Sequence, residues 1–438
     1  MLTRIQALHF RSLRFVDQSL DAFHVLVGPN ASGKTTFLDA INFLGDLVAK
    51  GLDEAVNRRT HNFQDLVWER QGQSFELALE ARIPQEQKEK LPTEHRGFDT
   101  IRYEVGLALD KEANQVAIIA ERIFLQKGTR PKLESDETPT TILLSREEQL
   151  DENHLIVAHK QNLSILRKVG GASELKQGFD NIQSETFPFG DDAAINGERR
   201  QSFPFSLGAR QSTLASIPND EFFFPVTTWF KKLLTEGLQM LILNSLALRA
   251  ASAPGQGLGF KADGSNLPWV VDNLRKKSRQ KFRDWIAHLQ TALPDLENVR
   301  VVRRDDDGHL YLMVRYRSGV EVPSWMVSDG TLRLMALTLS AYLPDFHGVF
   351  LIEEPENGIH PRAVETLFQS LSSAYNAQLL LATHSPIVLS IVEARQVLCF
   401  SKNEEGATQI VEGDQHPALQ NWQGETDLGT LFAAGVLS

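Results

Sequence analysis

The stretch VLVGPNASGKTTFLDA, residues 25–40, decides the fold because its spacing is that of a phosphate-binding loop. Gly28 and Gly33, followed directly by Lys34 and Thr35, fit the pattern G-x-x-x-x-G-K-[ST]. In such a loop the glycines let backbone N–H groups converge on a β-phosphate, the lysine reaches the β- and γ-phosphates, and the threonine hydroxyl can ligate Mg²⁺. The stretch therefore predicts that a nucleoside triphosphate binds near the start of the chain.

The residues on either side of the loop support this interpretation. The apolar run HVLVG, residues 24–28, precedes the loop and is typical of a short buried strand. The residues after the loop predict a helix whose N-terminus points at the phosphates. Four apolar residues fall on one face of this helix: Phe37, Ile41, Leu44 and Val48.

A second set of candidate residues lies about three hundred residues later, in GVFLIEEPENGIHP at 348–361. Four apolar residues, 349–352, predict a buried strand that ends in two carboxylates. Glu353 at the strand tip is placed to hold Mg²⁺, and Glu354 can orient or deprotonate an attacking water. The pattern alone is weak, because a strand that runs into an exposed acidic turn looks the same.

The strand QLLLATHSP, residues 378–386, follows and ends in His384. The segment between the two strands has a helical apolar stripe: Val364, Leu367, Phe368 and Leu371. Such a βαβ unit makes its strands parallel and brings both polar tips to the same carboxyl edge, where ligands bind. A histidine of this kind is more often structural when it stands alone. Beside Glu354, in a chain with a phosphate-binding loop, His384 is predicted to sense the γ-phosphate.

Upstream of these strands, WMVSDGTLRLMALTLSAYL predicts a helix that is opened by Ser328, Asp329 and Gly330. The free N–H groups and partial positive charge at such a helix start form an anion site. Taken alone, the same residues also fit a plain helix N-cap. The order of the features along the chain favours the anion site.

Four motifs stand in the order of an ATP-binding cassette: GPNxSGK at 28–34, SDGTxRLxAL at 328–337, EEPENGxHP at 353–361 and ATHSP at 382–386. As a set they resemble the SMC/RecF/OLD branch of ABC-type ATPases, and the resemblance covers both ends of the chain. It implies an α/β fold, namely an ABC-type P-loop NTPase head. Such a head has a mixed, mainly parallel core sheet, an antiparallel β-subdomain and, in this chain, a helical insertion.

The resemblance also implies that one copy holds only half of a working site. In such ATPases a homodimer, or a larger assembly of dimers, encloses two ATP molecules with Mg²⁺. It assigns Glu354 as the catalytic base, His384 as the sensor, and Thr35 and Glu353 to the metal. It assigns a lid, which covers the partner's nucleotide, to Ser328, Asp329 and Gly330. It assigns nucleotide binding to Gly28, Pro29, Asn30, Ala31, Ser32, Gly33, Lys34, Thr35 and Thr36, and to Arg11 in the N-terminal stretch LHFRSLRFVD.

Two features depart from the family pattern. Glu353 replaces the aspartate that is usual in P-loop enzymes, which adds a methylene group to the metal shell. PENGIHP, residues 355–361, takes the place of the family's D-loop but lacks its usual aspartate. The glutamine that senses the γ-phosphate in the family is not identified by its spacing, and Gln64 and Gln126 are both candidates.

The residues between the motifs predict three regions. Residues 1–150 form the N-terminal half of the head, 151–298 a mainly helical insertion, and 299–438 the C-terminal half. Alternating apolar runs predict an antiparallel subsheet at 74–83, 101–109 and 115–125, and a hairpin at 299–317. Sustained a/d heptads are absent from the sequence, which argues against a long coiled-coil arm.

Composition limits the classes of partner. A formal net charge of −11 argues against a protein that coats nucleic acid through bulk charge. The local exception is RKKSRQKFR at 275–283, predicted on one amphipathic helix, which is either a solvated face or a contact to DNA. The candidate DNA contacts are Arg275, Lys276, Lys277 and Arg279. One cysteine, no signal peptide and no long apolar run predict a cytoplasmic protein without a membrane segment.

Two functions of different classes fit these residues. In the first, ATP closes a head dimer, hydrolysis opens it, and a partner protein reads the state, in anti-phage defence or DNA repair by family analogy. Nuclease members of the branch carry a further Toprim domain, and only about fifty residues follow His384, so we expect an effector or nuclease to be a separate polypeptide. The alternative is a RecF-like protein whose ATP state gates its hold on DNA.

Overall fold

The computed structural model describes the following residues: 1–110, 114–128, 138–143, 162–169, 180–182, 203–205, 208–257, 259–343, 346–373, 377–419 and 427–436. The chain forms two compact units. The first consists of Met1–Asp21, Ala31–Leu238 and Ser401–Ile410. The second consists of Ala22–Asn30, Gln239–Phe400 and Val411–Ser438.

The described strands, in chain order, are β1 (Leu2–Phe10), β2 (Leu13–Ser19), β3 (Phe23–Val27), β4 (Ser74–Arg82), β5 (Thr100–Asp110), β6 (Gln115–Gln126), β7 (Asn162–Val169), β8 (Asp180–Ile182), β9 (Phe203–Phe205), β10 (Leu238–Leu241), β11 (Leu296–Arg303), β12 (Leu310–Tyr316), β13 (Glu321–Pro323), β14 (Val349–Glu353), β15 (Gln378–Ala382), β16 (Val397–Lys402) and β17 (Thr408–Glu412).

The described α-helices are α1 (Lys34–Lys50), α2 (Leu52–Asn57), α3 (Gln85–Lys90), α4 (Thr213–Ser216), α5 (Pro225–Lys232), α6 (Ser245–Arg249), α7 (Leu267–Lys277), α8 (Arg279–Ala292), α9 (Asp329–Leu339), α10 (Pro361–Ser372), α11 (Pro386–Leu389) and α12 (Leu428–Ala433). No helix in this part of the chain is long and apolar enough to cross a membrane.

The first unit contains an eight-stranded sheet with the order β2-β1-β4-β5-β6-β7-β8-β9. All of its neighbouring strands pair antiparallel. The predicted antiparallel subsheet is confirmed, because β4, β5 and β6 match the three predicted runs. Helix α1 packs on this sheet through the rings of Phe10, Phe43 and Phe75, whose centroids lie 5.0 to 5.9 Å apart.

The helix predicted after the phosphate loop is also present, as α1. All four residues of its predicted apolar stripe are buried: Phe37, Ile41, Leu44 and Val48. The helix ends at Gly51, whose φ of 86° lies in the region that favours glycine. The 3.6-residue period was therefore sufficient to predict this helix and its buried face.

The second unit is built on a six-stranded sheet with the order β10-β14-β15-β3-β16-β17. Three neighbouring pairs in it are parallel, namely β14 with β15, β15 with β3, and β3 with β16. Helix α10 connects β14 to β15 and buries the predicted stripe of Val364, Leu367, Phe368 and Leu371. The βαβ unit is confirmed, and so is the α/β class with a mainly parallel core sheet and an antiparallel subsheet.

The second unit also holds a three-stranded antiparallel sheet with the order β11-β12-β13, which confirms the hairpin predicted at 299–317. Helix α8 buries Phe282, Trp285, Ile286 and Leu289. The indole Nε1 of Trp285 donates a hydrogen bond of 3.0 Å to the hydroxyl of Thr338 on α9. This bond fixes the C-terminal half of α9, the helix that Ser328 opens.

The described residues of the region 151–298, which the sequence predicts to be mainly helical, include strands as well as helices. Its described residues before 206 are strands β7, β8 and β9, and β7 extends the antiparallel sheet by pairing with β6. Among the described residues of this region, the first helix begins at residue 213. Parts of the region lie outside the described residues. Without β7, the backbone N–H and C=O groups along one edge of β6 would have no strand partner. Such pairing between distant segments cannot be read from the apolar periodicity of the sequence.

The sequence predicts that the basic stretch 275–283 lies on one helix, and this prediction is wrong. Helix α7 ends at Lys277, and α8 begins after Ser278, whose hydroxyl oxygen accepts a hydrogen bond of 3.2 Å from the N–H of Lys281. Serine at this position favours a helix N-cap over a continuous helix. The carboxylate of Asp272 forms ion pairs with Arg275 at 3.0 Å and with Lys276 at 2.6 Å.

Candidate nucleotide-binding and hydrolysis site

The loop between β3 and α1 requires glycine at two positions. Gly28 follows β3 with a φ of 143°, and a Cβ atom there would lie 2.1 Å from the carbonyl oxygen of Phe400. Gly33 has a φ of 108°, and a Cβ atom there would lie 2.1 Å from the hydroxyl oxygen of Thr408. Both positions therefore exclude a side chain. The glycines let the loop turn closely between β3 and α1, which is the backbone geometry of a phosphate-binding loop.

Helix α1 starts directly after this loop. Gly33 precedes it in a left-handed conformation, and its first turn, from Lys34, contains no acidic residue. Lys34 is largely buried, with 6% of its surface exposed. The N-terminus of a 17-residue helix carries partial positive charge, and a first turn without a carboxylate leaves that charge for an anion.

Three polar strand tips meet at one edge of the second unit's sheet. Glu353 of β14 is in register with Ala382 of β15, which is in register with Leu26 of β3. The N–H of Thr383 donates a hydrogen bond of 3.1 Å to the carbonyl oxygen of Leu26. Because the strands are parallel, the residues that follow them emerge at the same edge. These residues are Glu354, His384 and the loop that begins at Gly28.

Glu354 has a strained backbone. Its φ of 44° is left-handed, a region that costs a residue other than glycine on the order of 1–3 kcal/mol. Its N–H donates a hydrogen bond of 2.8 Å to the carbonyl oxygen of Ala382, and its carboxylate accepts one from the side-chain amide of Asn357. The Nε2 atom of His384 lies 3.9 Å from its Oε1 atom. The predicted base and the predicted sensor are thus brought together.

A cavity of about 300 Å³ opens beside these carboxylates within the second unit. Residues at the end of β10 and just after it, on α9, and at the tip of β14 form its wall: Leu241, Ile242, Leu243, Arg333, Leu337, Ile352, Glu353, Glu354, Pro355 and Asn357. Sequence reasoning did not identify Arg333 as a residue of this wall. The available signal was its position four residues after Asp329 on α9, because residues four apart lie on the same face of a helix.

Ser328 caps α9. Its Oγ atom accepts a hydrogen bond of 3.2 Å from the N–H of Thr331, and the residue is exposed. Asp329 faces its own unit, where its Oδ2 atom accepts from the hydroxyl of Ser245 at 2.7 Å and from Nε of Arg333 at 2.9 Å. Partial burial would raise the pKa of Asp329, but these two partners outweigh it and hold the pKa below its ordinary value.

Gly330 packs against the segment that follows the acidic strand. A Cβ atom on Gly330 would lie 2.3 Å from the carbonyl oxygen of Gly358, and Gly358 has a φ of 76°. The two glycines let the start of α9 approach the loop between β14 and α10 at backbone distance. The three predicted lid residues therefore differ in what they contact: Ser328 is exposed, Asp329 is engaged within its own unit, and Gly330 provides close approach.

Arg11 contacts α1 in this structure. It has a φ of 51°, and its guanidinium lies 2.8 Å from a carboxylate oxygen of Asp39. Arg59 pairs with the other oxygen of Asp39 at 2.6 Å. The expectation that Arg11 approaches the nucleotide stays a prediction. Its nearness to the second turn of α1 is compatible with that role.

Neither glutamine candidate is distinguished by the structure. Gln64 lies in a 3₁₀ turn, Phe63–Leu66, where its N–H is bound by the side chain of Asn62 at 3.2 Å. Gln126 ends β6 and is 2% exposed. Within the described residues, both polar atoms of its side-chain amide lack a hydrogen-bond partner. The assignment of a γ-phosphate-sensing glutamine therefore stays open.

Glu356 belongs to the site but was not among the predicted residues. Its Oε1 atom accepts hydrogen bonds from the hydroxyl of Thr383 and from the N–H of His384. It thus joins the turn that carries Glu354 to the tip that carries His384. The available signal was a third carboxylate two residues after the base, within a motif whose other two carboxylates had already been given roles.

The residues present fit Mg-ATP. The described residues contain no cluster of three or more His, Cys, Asp or Glu side chains that could hold a metal ion unaided. Mg²⁺ in nucleotide sites needs only one or two protein oxygens, since phosphate and water supply the others. The first unit offers a donor of that type in the hydroxyl of Thr35, and the second unit offers one in the carboxylate of Glu353. Gly28 and Gly33 let the loop take the left-handed conformations that a phosphate-binding loop requires.

Comparison with solved structures gives three SMC heads that each align with 94% of this chain. The SmcHead bound to the C-winged helix domain of ScpA aligns over 97% of that chain, with a TM-score of 0.49 and 14% identity. The SMC head domain from Thermotoga maritima aligns over 98%, with a TM-score of 0.40 and 10% identity. The Smc head with an extended coiled coil, bound to the C-terminal domain of ScpA derived from Pyrococcus furiosus, aligns over 95%, with a TM-score of 0.44 and 12% identity.

Comparison with sequences gives a curated relative and a family. The Retron Vc95 probable ATPase of Vibrio cholerae serotype O1 biovar El Tor is 27% identical over 196 residues. That alignment covers 36% of this chain and spans only 37% of the relative. A family model described as "AAA domain, putative AbiEii toxin, Type IV TA system" matches residues 23–159 and 179–390, which is well over half of the chain.

Proposed function

The chain belongs to this family of AAA domains, and from that premise we propose that it binds and hydrolyses Mg-ATP in a site shared by two copies. ATP-dependent dimerisation of the two copies then switches a partner protein. The observation that carries the proposal is the strand register within the second unit. It brings Glu354, His384 and the start of the phosphate loop to one carboxyl edge.

Each residue has a distinct role in the proposed reaction. Lys34 holds the β- and γ-phosphates, and Thr35 and Glu353 ligate Mg²⁺. The metal, when bound, neutralises charge on the phosphate oxygens. Glu354 orients the attacking water and accepts its proton, and His384 contacts the γ-phosphate. Asn357, bonded to the carboxylate of Glu354, restricts the rotamer of the base.

The second copy supplies the lid through the N-terminus of α9. Ser328 and Gly330 are the groups we assign to the partner's γ-phosphate. Two observations support this assignment: Ser328 is exposed, and it stands at the start of α9, where the first backbone N–H groups have no acceptor within the helix. Repulsion between Asp329 and an incoming phosphate is reduced, because Arg333 forms an ion pair with the carboxylate of Asp329.

Ser328→Arg tests the shared site. The larger, charged side chain should block closure, so turnover should fall about a hundredfold, which is roughly 2.7 kcal/mol. ATP affinity should remain nearly unchanged, because the lid acts on the other copy's nucleotide. Turnover and binding of a fluorescent ATP analogue are measured on the same preparation. The matched control is Ser373→Arg, an exposed serine after α10. Loss of ATP binding in the Ser328 variant would refute a site shared between copies.

We place the switch in anti-phage defence or DNA repair, with a separate effector protein as the partner. Two findings support the defence setting: the relative is a retron ATPase, and the family description refers to a toxin–antitoxin system. A switch of this kind works by mass action. A single copy binds ATP through its phosphate loop, and ATP that is held more tightly by the closed dimer stabilises the dimer in proportion to that difference in affinity.

The second candidate function is an ATP-gated DNA-binding protein. It is favoured by the basic cluster at the junction of α7 and α8, where Arg275, Lys276, Lys277 and Arg279 are all exposed. Clustered exposed cations can bind phosphate groups even in a chain of net negative charge.

Changing both Lys276 and Lys277 to Glu tests this candidate. Affinity for duplex DNA in the presence of ATP should fall at least about tenfold at 0.1 M salt, and the salt dependence should become shallower. Fluorescence anisotropy of labelled DNA gives both quantities. Lys261→Glu, an exposed lysine in the same unit, is the control. DNA binding that is absent from the wild type, or unchanged in the variant, leaves the partner-switch function as the one supported.

A further inference from the structure

Glu356 links the two halves of the hydrolysis machinery through hydrogen bonds. It lies two residues after Glu354, in the loop between β14 and α10. We propose that Glu356 is a positioning residue that sets where His384 stands relative to Glu354 during ATP hydrolysis. This inference rests on the proposed function and adds to it a residue that acts through His384 and does not touch the nucleotide.

Hydrogen bonds to Leu26 of β3 and to Glu356 hold the tip of β15 that carries His384. Thr383 is fully buried, its N–H donates to the carbonyl oxygen of Leu26 at 3.1 Å, and its hydroxyl donates to Oε1 of Glu356. That hydroxyl oxygen also accepts from the N–H of Ser385 at 2.9 Å. The N–H of His384 itself donates to Oε1 of Glu356 at 3.2 Å. The peptide plane that precedes His384 is therefore fixed by one carboxylate oxygen.

The turn that carries Glu354 is fixed by the same region of the chain. The N–H of Glu354 donates to Ala382 at 2.8 Å, and the N–H of Asn357 donates to the carbonyl oxygen of Glu354 at 3.0 Å. The N–H of Ile359 donates to the carbonyl oxygen of Glu356 at 2.9 Å. Two connections thus join the turn to the strand tip, one at Glu354 and one at Glu356.

The ring of His384 is not held by Glu354 directly. The 3.9 Å between Nε2 of His384 and Oε1 of Glu354 is longer than a hydrogen bond. The spacing between base and sensor therefore depends on their backbones, and Glu356 is the side chain that bridges those backbones. A side chain that fixes a catalytic group in this way affects turnover more than substrate binding, because small misplacements of reacting groups lower rates steeply.

The buried Oε2 atom of Glu356 argues against a role in stability alone. Its Oε2 atom is buried and has no hydrogen-bond partner among the described residues. A buried carboxylate oxygen without a partner carries a desolvation cost. The charge-assisted bonds that the carboxylate makes to the strand tip offset this cost.

The test compares turnover and ATP affinity in variants of Glu356. Glu356→Ala removes both bonds, and we expect kcat to fall about thirtyfold while the dissociation constant for ATP changes less than about twofold. Glu356→Gln keeps an acceptor oxygen for both donors and should retain kcat within about fivefold of the wild type. Glu365→Gln on α10 is the control. A glutamine variant as slow as the alanine variant would overturn the hydrogen-bond account.

A double-mutant cycle with His384→Ala separates positioning from structural damage. If Glu356 acts through His384, the double variant should be about as slow as His384→Ala alone. If the two losses multiply, Glu356 acts elsewhere and the inference fails. Thr383→Val removes the hydroxyl's bonds to Glu356 and to the N–H of Ser385 at nearly constant volume, and it serves if Glu356→Ala does not fold. It should show a smaller loss of kcat with unchanged ATP affinity, and an unchanged kcat would also overturn the inference.

Failure of this inference can be told from failure of the proposed function. A wild-type protein that neither binds nor hydrolyses ATP would overturn the proposed function. A wild type that hydrolyses ATP, loses turnover in Glu354→Gln and keeps it in Glu356→Ala would overturn the role of Glu356 alone.

Discussion

Glu354→Gln is expected to bind ATP as the wild type does and to hydrolyse it about a thousandfold more slowly, within the range that a general base contributes. Glutamine has the size and the acceptor oxygen of glutamate but cannot take a proton at neutral pH. The bond from Asn357 and the backbone bond to Ala382 can both persist, so the turn should keep its left-handed conformation. The loss is therefore confined to proton transfer and water orientation.

The same variant should accumulate as a dimer in the presence of Mg-ATP. Hydrolysis opens the closed state, so blocking it leaves ATP bound and the two copies associated. Light scattering during size-exclusion chromatography measures this directly, with ADP as the comparison nucleotide. Glu365→Gln, an exposed glutamate on α10, controls for the loss of one charge. An unchanged turnover rate in Glu354→Gln would show that another group is the base.

Periodic and local features of this chain could be predicted from its sequence. The apolar stripe of α1 and the βαβ unit around α10 depend on residues within a few turns or one connection of each other, and both are present. Strand β7 and the break at Ser278 were not predicted. The first depends on pairing with β6 across more than thirty residues. The second depends on one serine whose capping bond competes with helix continuation.

The candidate site divides in the same way. Motif spacing was enough to select the residues at the strand tips, because parallel strands align their carboxyl ends. Motif spacing could not predict contacts between side chains that are far apart in the sequence. Ser245 and Asp329 are 84 positions apart, and Glu356 and His384 are 28 apart. The structure therefore adds Arg333 and Glu356, and it gives Asp329 a partner within its own unit.

Lys34→Ala is the second substitution with a large expected effect, and it acts at the opposite step to Glu354→Gln. Lys34 is the first residue of α1 and is largely buried beside the bare backbone of Gly33. Its removal takes away the cation that holds the β- and γ-phosphates, and neither the glycines nor the helix N-terminus can replace a full charge. We expect ATP affinity to fall at least about a hundredfold, or roughly 2.7 kcal/mol.

Dimerisation should be lost together with ATP binding in this variant. If ATP stabilises the dimer only by being held in it, a protein that cannot bind ATP gains nothing from its addition and stays monomeric at any ATP concentration below the raised dissociation constant. Isothermal calorimetry measures binding, and light scattering with ATP measures association. Lys50→Ala is the matched control, since Lys50 lies at the other end of α1 and pairs with Asp46 at 2.6 Å. A Lys34 variant that still dimerises with ATP would separate association from nucleotide binding and contradict the proposed switch.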